Sequence, residues 1–198
     1  MNYLASEIKK CQLCASVLPY APNPVVSFSS KSKIAIIGQA PGRIVHKTGI
    51  PWSDKSGDRL RNWLGVSIED FYDTQQFALV PMGFCYPGTG KSGDFPPRKE
   101  CGPTWHPLIF KHLKKIEFTI LIGSYAQKYY LKKEAKKTLT ETVQYFEEYL
   151  PNYFVLPHLS PRNNIWLKKN PWFEQGLLPQ LKKKVFEVVD GINPPNKL

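Results

Sequence analysis

Four short stretches of the chain are apolar at almost every position: KIAIIG (33–38), FALVP (77–81), FTILIG (118–123) and YFVLP (153–157). A strand with one wet face alternates apolar and polar residues. Runs without alternation are buried on both faces, as in a parallel sheet covered by helices. Between the runs, apolar residues recur at helical spacing. Residues 57–65 (GDRLRNWLG) carry Leu60, Trp63 and Leu64 on one side and close on Gly65, a helix-stop signal. Residues 104–115 and 124–136 follow the same logic. A last helix over 174–190 puts Leu177, Leu178, Leu181, Val185, Phe186 and Val189 on one face and leaves Lys182 to Lys184 mostly outside. Strand alternating with helix predicts an α/β fold: a three-layer α/β/α sandwich around a central four-stranded parallel sheet. A chain of 198 residues suits a single domain over 1–198. No internal repeat interrupts it, and the tail GINPPNKL (191–198) is expected to be mobile.

Charge narrows the function. The formal net charge is +11, and the isoelectric point is near 9.5. Lysines are spread through 31–33, 111–115, 128–137, 168–169 and 182–184. Any one of these clusters reads as a solvated helix face. Their sum favours a polyanionic partner, because each neutralised phosphate releases counterions. No apolar run reaches the roughly 18 residues of a spanning helix, and MNYLASEIKK at the start lacks the apolar core of a signal peptide. The expectation is a monomeric, cytoplasmic, nucleoid-associated protein that binds nucleic acid, duplex or single-stranded, and no membrane.

The four cysteines are Cys11, Cys14, Cys85 and Cys101. CQLC sets two thiols two residues apart, a spacing that suits one metal centre. Structural disulfides are disfavoured inside cells. Four thiols with none left over point to one shared metal centre, a structural zinc or an iron–sulfur cluster; the alternative is two unrelated pairs of free thiols.

In open parallel sheets, ligand sites gather at the carboxyl ends of the strands. Here the first run is followed by GQAPG (38–42), the second by MGFCYPGTGKSGDFPPRKEC (82–101), and the last by HLSPRNNIW (158–166). Gly38 and Gly42 let backbone approach a ligand closely, and N–H groups of such a turn can bind an anion or a carbonyl. The pair GQAPG and HLSPRN resembles the two active-site motifs of the uracil-DNA glycosylase superfamily. The four-cysteine pattern, and GIPWSDKSGDRL (49–60), are similar to the thermophile-type branch that carries a 4Fe–4S cluster. The resemblance covers residues 11 to about 175.

That resemblance implies a DNA glycosylase, a hydrolase of base-excision repair that flips a deaminated base, uracil or a relative, out of DNA and cuts its N-glycosidic bond. It implies a 4Fe–4S cluster on Cys11, Cys14, Cys85 and Cys101, with structural zinc as the alternative. It makes His158 the donor to the departing base, with Gln39 and Ala40 beside it. It assigns Gly38, Pro41, Gly42, Trp52, Met82 and Gly83 to the base pocket, Trp52 as the stacking ring. Ser160, Pro161, Arg162 and Asn163 would grip DNA, Arg162 as the wedge that fills the vacated stack. Lys91 and Arg98 would reach the backbone from the loop between the later cysteines.

The chain departs from the family pattern at three points. Ala40 stands where the most active branch has an Asp that orients water; the iron–sulfur branch lacks it too. Counting back from Cys85, Pro81 falls where the branch has an Asn that reads the uracil edge, which leaves a backbone group of Met82 or Gly83 for that task. Leu159 replaces the first Pro of the last loop. These changes keep open a second reading, a non-catalytic or lesion-sensing DNA-binding protein on the same fold. GTGKSG (88–93) lacks the spacing of a phosphate loop and runs into Pro-Pro, which excludes nucleoside-triphosphate binding there.

Overall fold

The structure, a computed structural model, describes residues 3–91, 93–160 and 163–189. The tail 191–198, Pro161 and Arg162 lie outside them. Four strands form one sheet: β1 (Ile34–Ile37), β2 (Phe77–Leu79), β5 (Phe118–Ile122) and β6 (Tyr153–Leu156). Its order is β2-β1-β5-β6, and every pairing is parallel. All strand residues but Tyr153 are buried, which is why their sequences do not alternate. The four apolar runs predicted as strands are these four.

Helices cover the sheet in two groups, giving the predicted three-layer architecture. In one, α3 (Lys55–Leu64) packs on α9 (Leu178–Val188). The Trp63 ring meets Phe173 edge-on at 4.8 Å between centroids. Asp54 caps α3 by accepting from the Ser56 and Gly57 N–H groups, both at 3.1 Å. Gly65 ends it at φ 73°, where a Cβ would be disfavoured. In the other group, α5 (Cys101–His112) meets α1 (Tyr3–Lys9) and α6 (Gly123–Leu131).

Three helix boundaries differ from the sequence expectation. α5 starts at Cys101 rather than 104, because Pro103 occupies the first turn, where no N–H is needed. α6 ends at Leu131 in a 3₁₀ turn, Lys132–Glu134. The last helix opens as a π turn, Phe173–Leu177, before α9. Short helices α2 (Arg43–Thr48), α4 (Ile68–Tyr72), α7 (Leu139–Gln144) and α8 (Asn164–Lys169) fill connections too brief for a periodic signal. GTGKSG folds as a two-stranded hairpin, β3 (Thr89–Gly90) with β4 (Gly93–Asp94), and no helix follows it directly. Among the described residues no helix is long and apolar enough to cross a membrane.

Register places the functional loops. Ile37 at the end of β1 pairs with Leu121, and Ile122 at the end of β5 pairs with Leu156. Three strands therefore stop side by side. Phe154, 1 % exposed in the middle of β6, sits on this core and against Phe146. Truncating it leaves a large cavity: Phe154→Ala is expected to lower unfolding stability by about 3–5 kcal/mol, read as a lower urea midpoint with an unchanged slope.

Candidate active site

A cleft of about 550 Å³ opens above the ends of β1, β5 and β6. It lies where the strand order reverses, between β1 and β5, the position at which parallel α/β sheets place ligands. Gln39, Ala40, Pro41 and Gly42 form one wall, Gly123 to Tyr125 another, and His158 to Ser160 a third.

His158 leaves β6 into this cleft. Its imidazole lies against Gly123, whose φ of 78° already favours glycine; a Cβ there would stand 3.3 Å from His158 Cδ2. The Ser160 N–H donates to His158 Nδ1 at 3.1 Å. A neutral ring that accepts at Nδ1 carries its proton on Nε2. Burial holds the His158 pKa below its ordinary value, with Asp94 pulling the other way. The site thus presents a neutral Nε2–H donor.

Trp52 faces the same cleft from the loop before α3. Its indole lies over Gly38: a Cβ at Gly38 would be 2.6 Å from Trp52 Cζ2. The Trp52 backbone sits at φ 57°, a strained value for a bulky residue that the surroundings must hold. Arg61 Nη1 donates to the Trp52 carbonyl at 3.3 Å, and Tyr72 Oη donates to the Pro51 carbonyl at 2.9 Å. Arg61 is itself fixed by Asp58 at 2.5 Å and lies over the Phe71 and Tyr72 rings. Gly57 presses on the Trp52 carbonyl so closely that no side chain fits there. A flat slot with a ring on one side and a neutral imidazole donor at its rim suits a planar heterocycle with an exocyclic oxygen.

A family model of the Uracil DNA glycosylase superfamily matches residues 26–182. The chain belongs to that superfamily. Its members are DNA glycosylases, hydrolases that act on DNA.

Within that frame, the structure sorts the predicted residues. Gly38, Pro41, Gly42 and Trp52 come together with His158, Gln39 and Ala40. Met82 and Gly83 do not. Their N–H groups already donate to the Gly38 and Gln39 carbonyls, at 2.8 and 2.9 Å, so they brace the first loop from behind and have no N–H left to read a base. Ser160 lines the cleft, and Asn163 N–H closes the turn onto the Ser160 carbonyl at 2.8 Å. Lys91 stands exposed in the hairpin turn. Arg98 is committed to Glu100 at 2.6 Å and lies outside the cleft.

Several cleft residues carried no sequence signal. Asp54 and Asp94 both line it. An oxygen of each lies 3.7 Å from the same point, a Cβ built on Gly42, so the two carboxylates flank one spot. Asp54 uses Oδ1 for the α3 cap; Asp94 Oδ1 accepts from Thr89 Oγ1 at 2.6 Å, which leaves an oxygen of each to the cleft. No Lys or Arg lines the cleft among the described residues. Arg59 was also missed: it reaches from α3 to the Leu159 and Ser160 carbonyls at 3.3 and 3.4 Å and to Asn164 Oδ1 at 2.8 Å, tying the last loop down. Leu159, in place of proline, is buried and anchors that loop in the core.

Behind Pro81 a second histidine is sealed. His106 Nε2 donates to the Pro81 carbonyl at 3.0 Å, since a carbonyl only accepts, and Nδ1 then accepts the Tyr130 hydroxyl at 2.6 Å. Burial pushes the His106 pKa down to about 4.

All four cysteines are free thiols; Cys14, Cys85 and Cys101 are buried and Cys11 is half-buried. They face one region. Burial raises the Cys85 pKa to about 12 and the Cys101 pKa to about 11, and in both the charges of Cys11 and Cys14 add to the rise. The Asn23 N–H faces the Cys85 sulfur and the Phe84 N–H faces the Cys101 sulfur, each opposing that shift. Among the described residues no three His, Cys, Asp or Glu side chains stand as a ready cage for a single ion. Chemically, four thiols with N–H groups turned to two of them are the donor set of an iron–sulfur cluster or of a zinc site.

His106 makes stability depend on pH. Between an unfolded pKa near 6.5 and a folded one near 4, only the unfolded chain binds the proton, so stability falls as pH drops through that window and levels below it. The loss expected from pH 7 to pH 4 is about 3 kcal/mol. His106→Phe should flatten this slope in urea melts while lowering stability at pH 7 by about 1–3 kcal/mol, through the orphaned Pro81 carbonyl.

Proposed function

We propose that this chain is a DNA glycosylase that takes a deaminated base, uracil or a relative, out of DNA and hydrolyses its N-glycosidic bond in base-excision repair. The observation that carries the reading is the convergence of Trp52 and a neutral, Nε2-protonated His158 on one open cleft. The flipped base stacks on the indole, an interaction worth roughly 1–3 kcal/mol. His158 Nε2–H donates to the base carbonyl that gains negative charge as the bond breaks.

The sugar becomes cationic at the same moment, and the cleft answers with Asp54 and Asp94 and, among the described residues, no Lys or Arg. Ala40 cannot hold a water. Asp94 can: water oxygen bonds to C1′, the C1′–N bond breaks with its electron pair going to the base, and the water proton passes to the Asp94 carboxylate. With no lysine lining the cleft among the described residues, hydrolysis rather than Schiff-base chemistry follows. This acidic lining favours turnover over a binding-only role. Base discrimination falls to groups other than Pro81, which offers only a carbonyl already engaged by His106.

Cys11, Cys14, Cys85 and Cys101 are proposed to hold a 4Fe–4S cluster of structural role, of the kind found in the thermophile-type branch. When bound it ties the N-terminal segment to the loop before α5. Cys85 and Cys101, whose thiols burial keeps protonated, would lose their protons on binding it. Anaerobically purified protein should be brown and absorb near about 400 nm with roughly four irons per chain, and zinc without colour would overturn the assignment.

The central test uses oligonucleotides carrying uracil, hypoxanthine or xanthine, followed by alkali. Strand cleavage at one of these bases is expected, and none at any base with folded, metal-loaded protein removes the proposal. His158→Ala should lower base release by at least about 100-fold while DNA affinity stays within a few-fold.

A further inference from the structure

A second depression, of about 1270 Å³, adjoins the cleft. Tyr125 lines both, and neighbours in sequence face opposite ways: Gly42 and Asp94 line the cleft, Arg43 and Phe95 the groove. The groove is walled by the segment that follows Cys14 and by the loop that leads to Cys101.

Its chemistry is the reverse of the cleft's. Among the described residues no carboxylate lines it, whereas Arg43, Arg98, Lys99 and Lys128 do; Arg98 is paired with Glu100, and the other three form no ion pair with a described residue. Aromatic rings line the same groove. Tyr20 is 52 % exposed, Phe95 52 % and Tyr125 40 %, so these rings are not core residues glimpsed through a gap. Tyr20 is stacked on the buried Tyr86 at 5.9 Å, which holds its ring in place. The Phe95 ring lies over Gly88 and Gly90 of the hairpin, where a Cβ on Gly90 would come within 2.9 Å of it.

We infer that this groove binds single-stranded DNA next to the nucleotide whose base enters the cleft. The inference deepens the glycosylase reading and rests on it for the strand's placement. Cations and open aromatic faces in one groove match a strand that carries both phosphates and unstacked bases. A duplex keeps its base faces stacked inside and would leave these rings without a partner. The continuity through Tyr125 lets one strand pass from groove to cleft without leaving the surface.

Fluorescence anisotropy of the full-length, metal-loaded protein tests this with a short labelled deoxythymidine strand and a blunt hairpin duplex of equal length. Preference for the single strand is expected. Tyr20→Ala and Phe95→Leu, the latter keeping apolar cover over the hairpin glycines, should each weaken single-strand binding by about tenfold. Lys128→Gln should weaken it and flatten its salt dependence by about one phosphate contact. Equal affinity for strand and duplex, or single-strand binding untouched in both aromatic variants with unchanged melting temperatures, overturns the inference. Binding needs no turnover, so the two proposals fail separately. Single-strand preference without base release leaves the groove and removes the glycosylase; base release without that preference does the opposite.

Discussion

The parallel register of three strands is the constraint on which the site rests. Because β1, β5 and β6 end side by side, Gly38, Gly123 and His158 emerge at one level although they lie far apart in sequence. A shift of one residue along β6 would turn every side chain of that strand to the other face and carry His158 away from Gly123. The apolar strand residues are thus part of the chemistry, since their burial fixes the register. The Ser160 N–H bond to Nδ1 then decides which nitrogen of the ring carries the proton.

Around that frame hydrogen bonds to backbone carbonyls, from backbone and side-chain donors alike, keep the loops rigid. Met82 and Gly83 brace the GQAPG turn, Arg59 ties down the turn after His158, and Arg61 with Tyr72 holds Pro51 and Trp52 in a conformation they would not adopt alone. Each of these groups acts at one remove from the cleft. The strain at Trp52, of order 1–3 kcal/mol, is tolerated because the ring it aims is the flat face of the slot.

Electrostatics divides the same rim in two. Among the described residues of a chain of net charge +11, the cleft is lined by two carboxylates and no Lys or Arg, and the groove by cations and no carboxylate. The first arrangement suits a sugar that turns cationic as its base departs, and the second suits a phosphate backbone. Net charge alone speaks only to the second.

The sequence by itself determined the sheet and the two loops that close on the cleft. Unbroken apolar runs mark strands buried on both faces, and glycine, proline and histidine at their ends mark turns with chemistry, because these signals are local and each residue carries its own. Superfamily membership was legible for the same reason, in GQAPG and HLSPRN. Tertiary structure alone decided the rest. Asp94 sits in a stretch without periodicity, and only the hairpin brings it to Gly42. The N–H groups of Met82 and Gly83 look available in the sequence and are consumed by the neighbouring loop. Arg59 and Arg61 carry no signal of their own in the sequence; the fold sets carbonyls before them. What a residue is can be read from the chain; which partner spends its hydrogen bonds or feels its charge depends on distances that only folding creates.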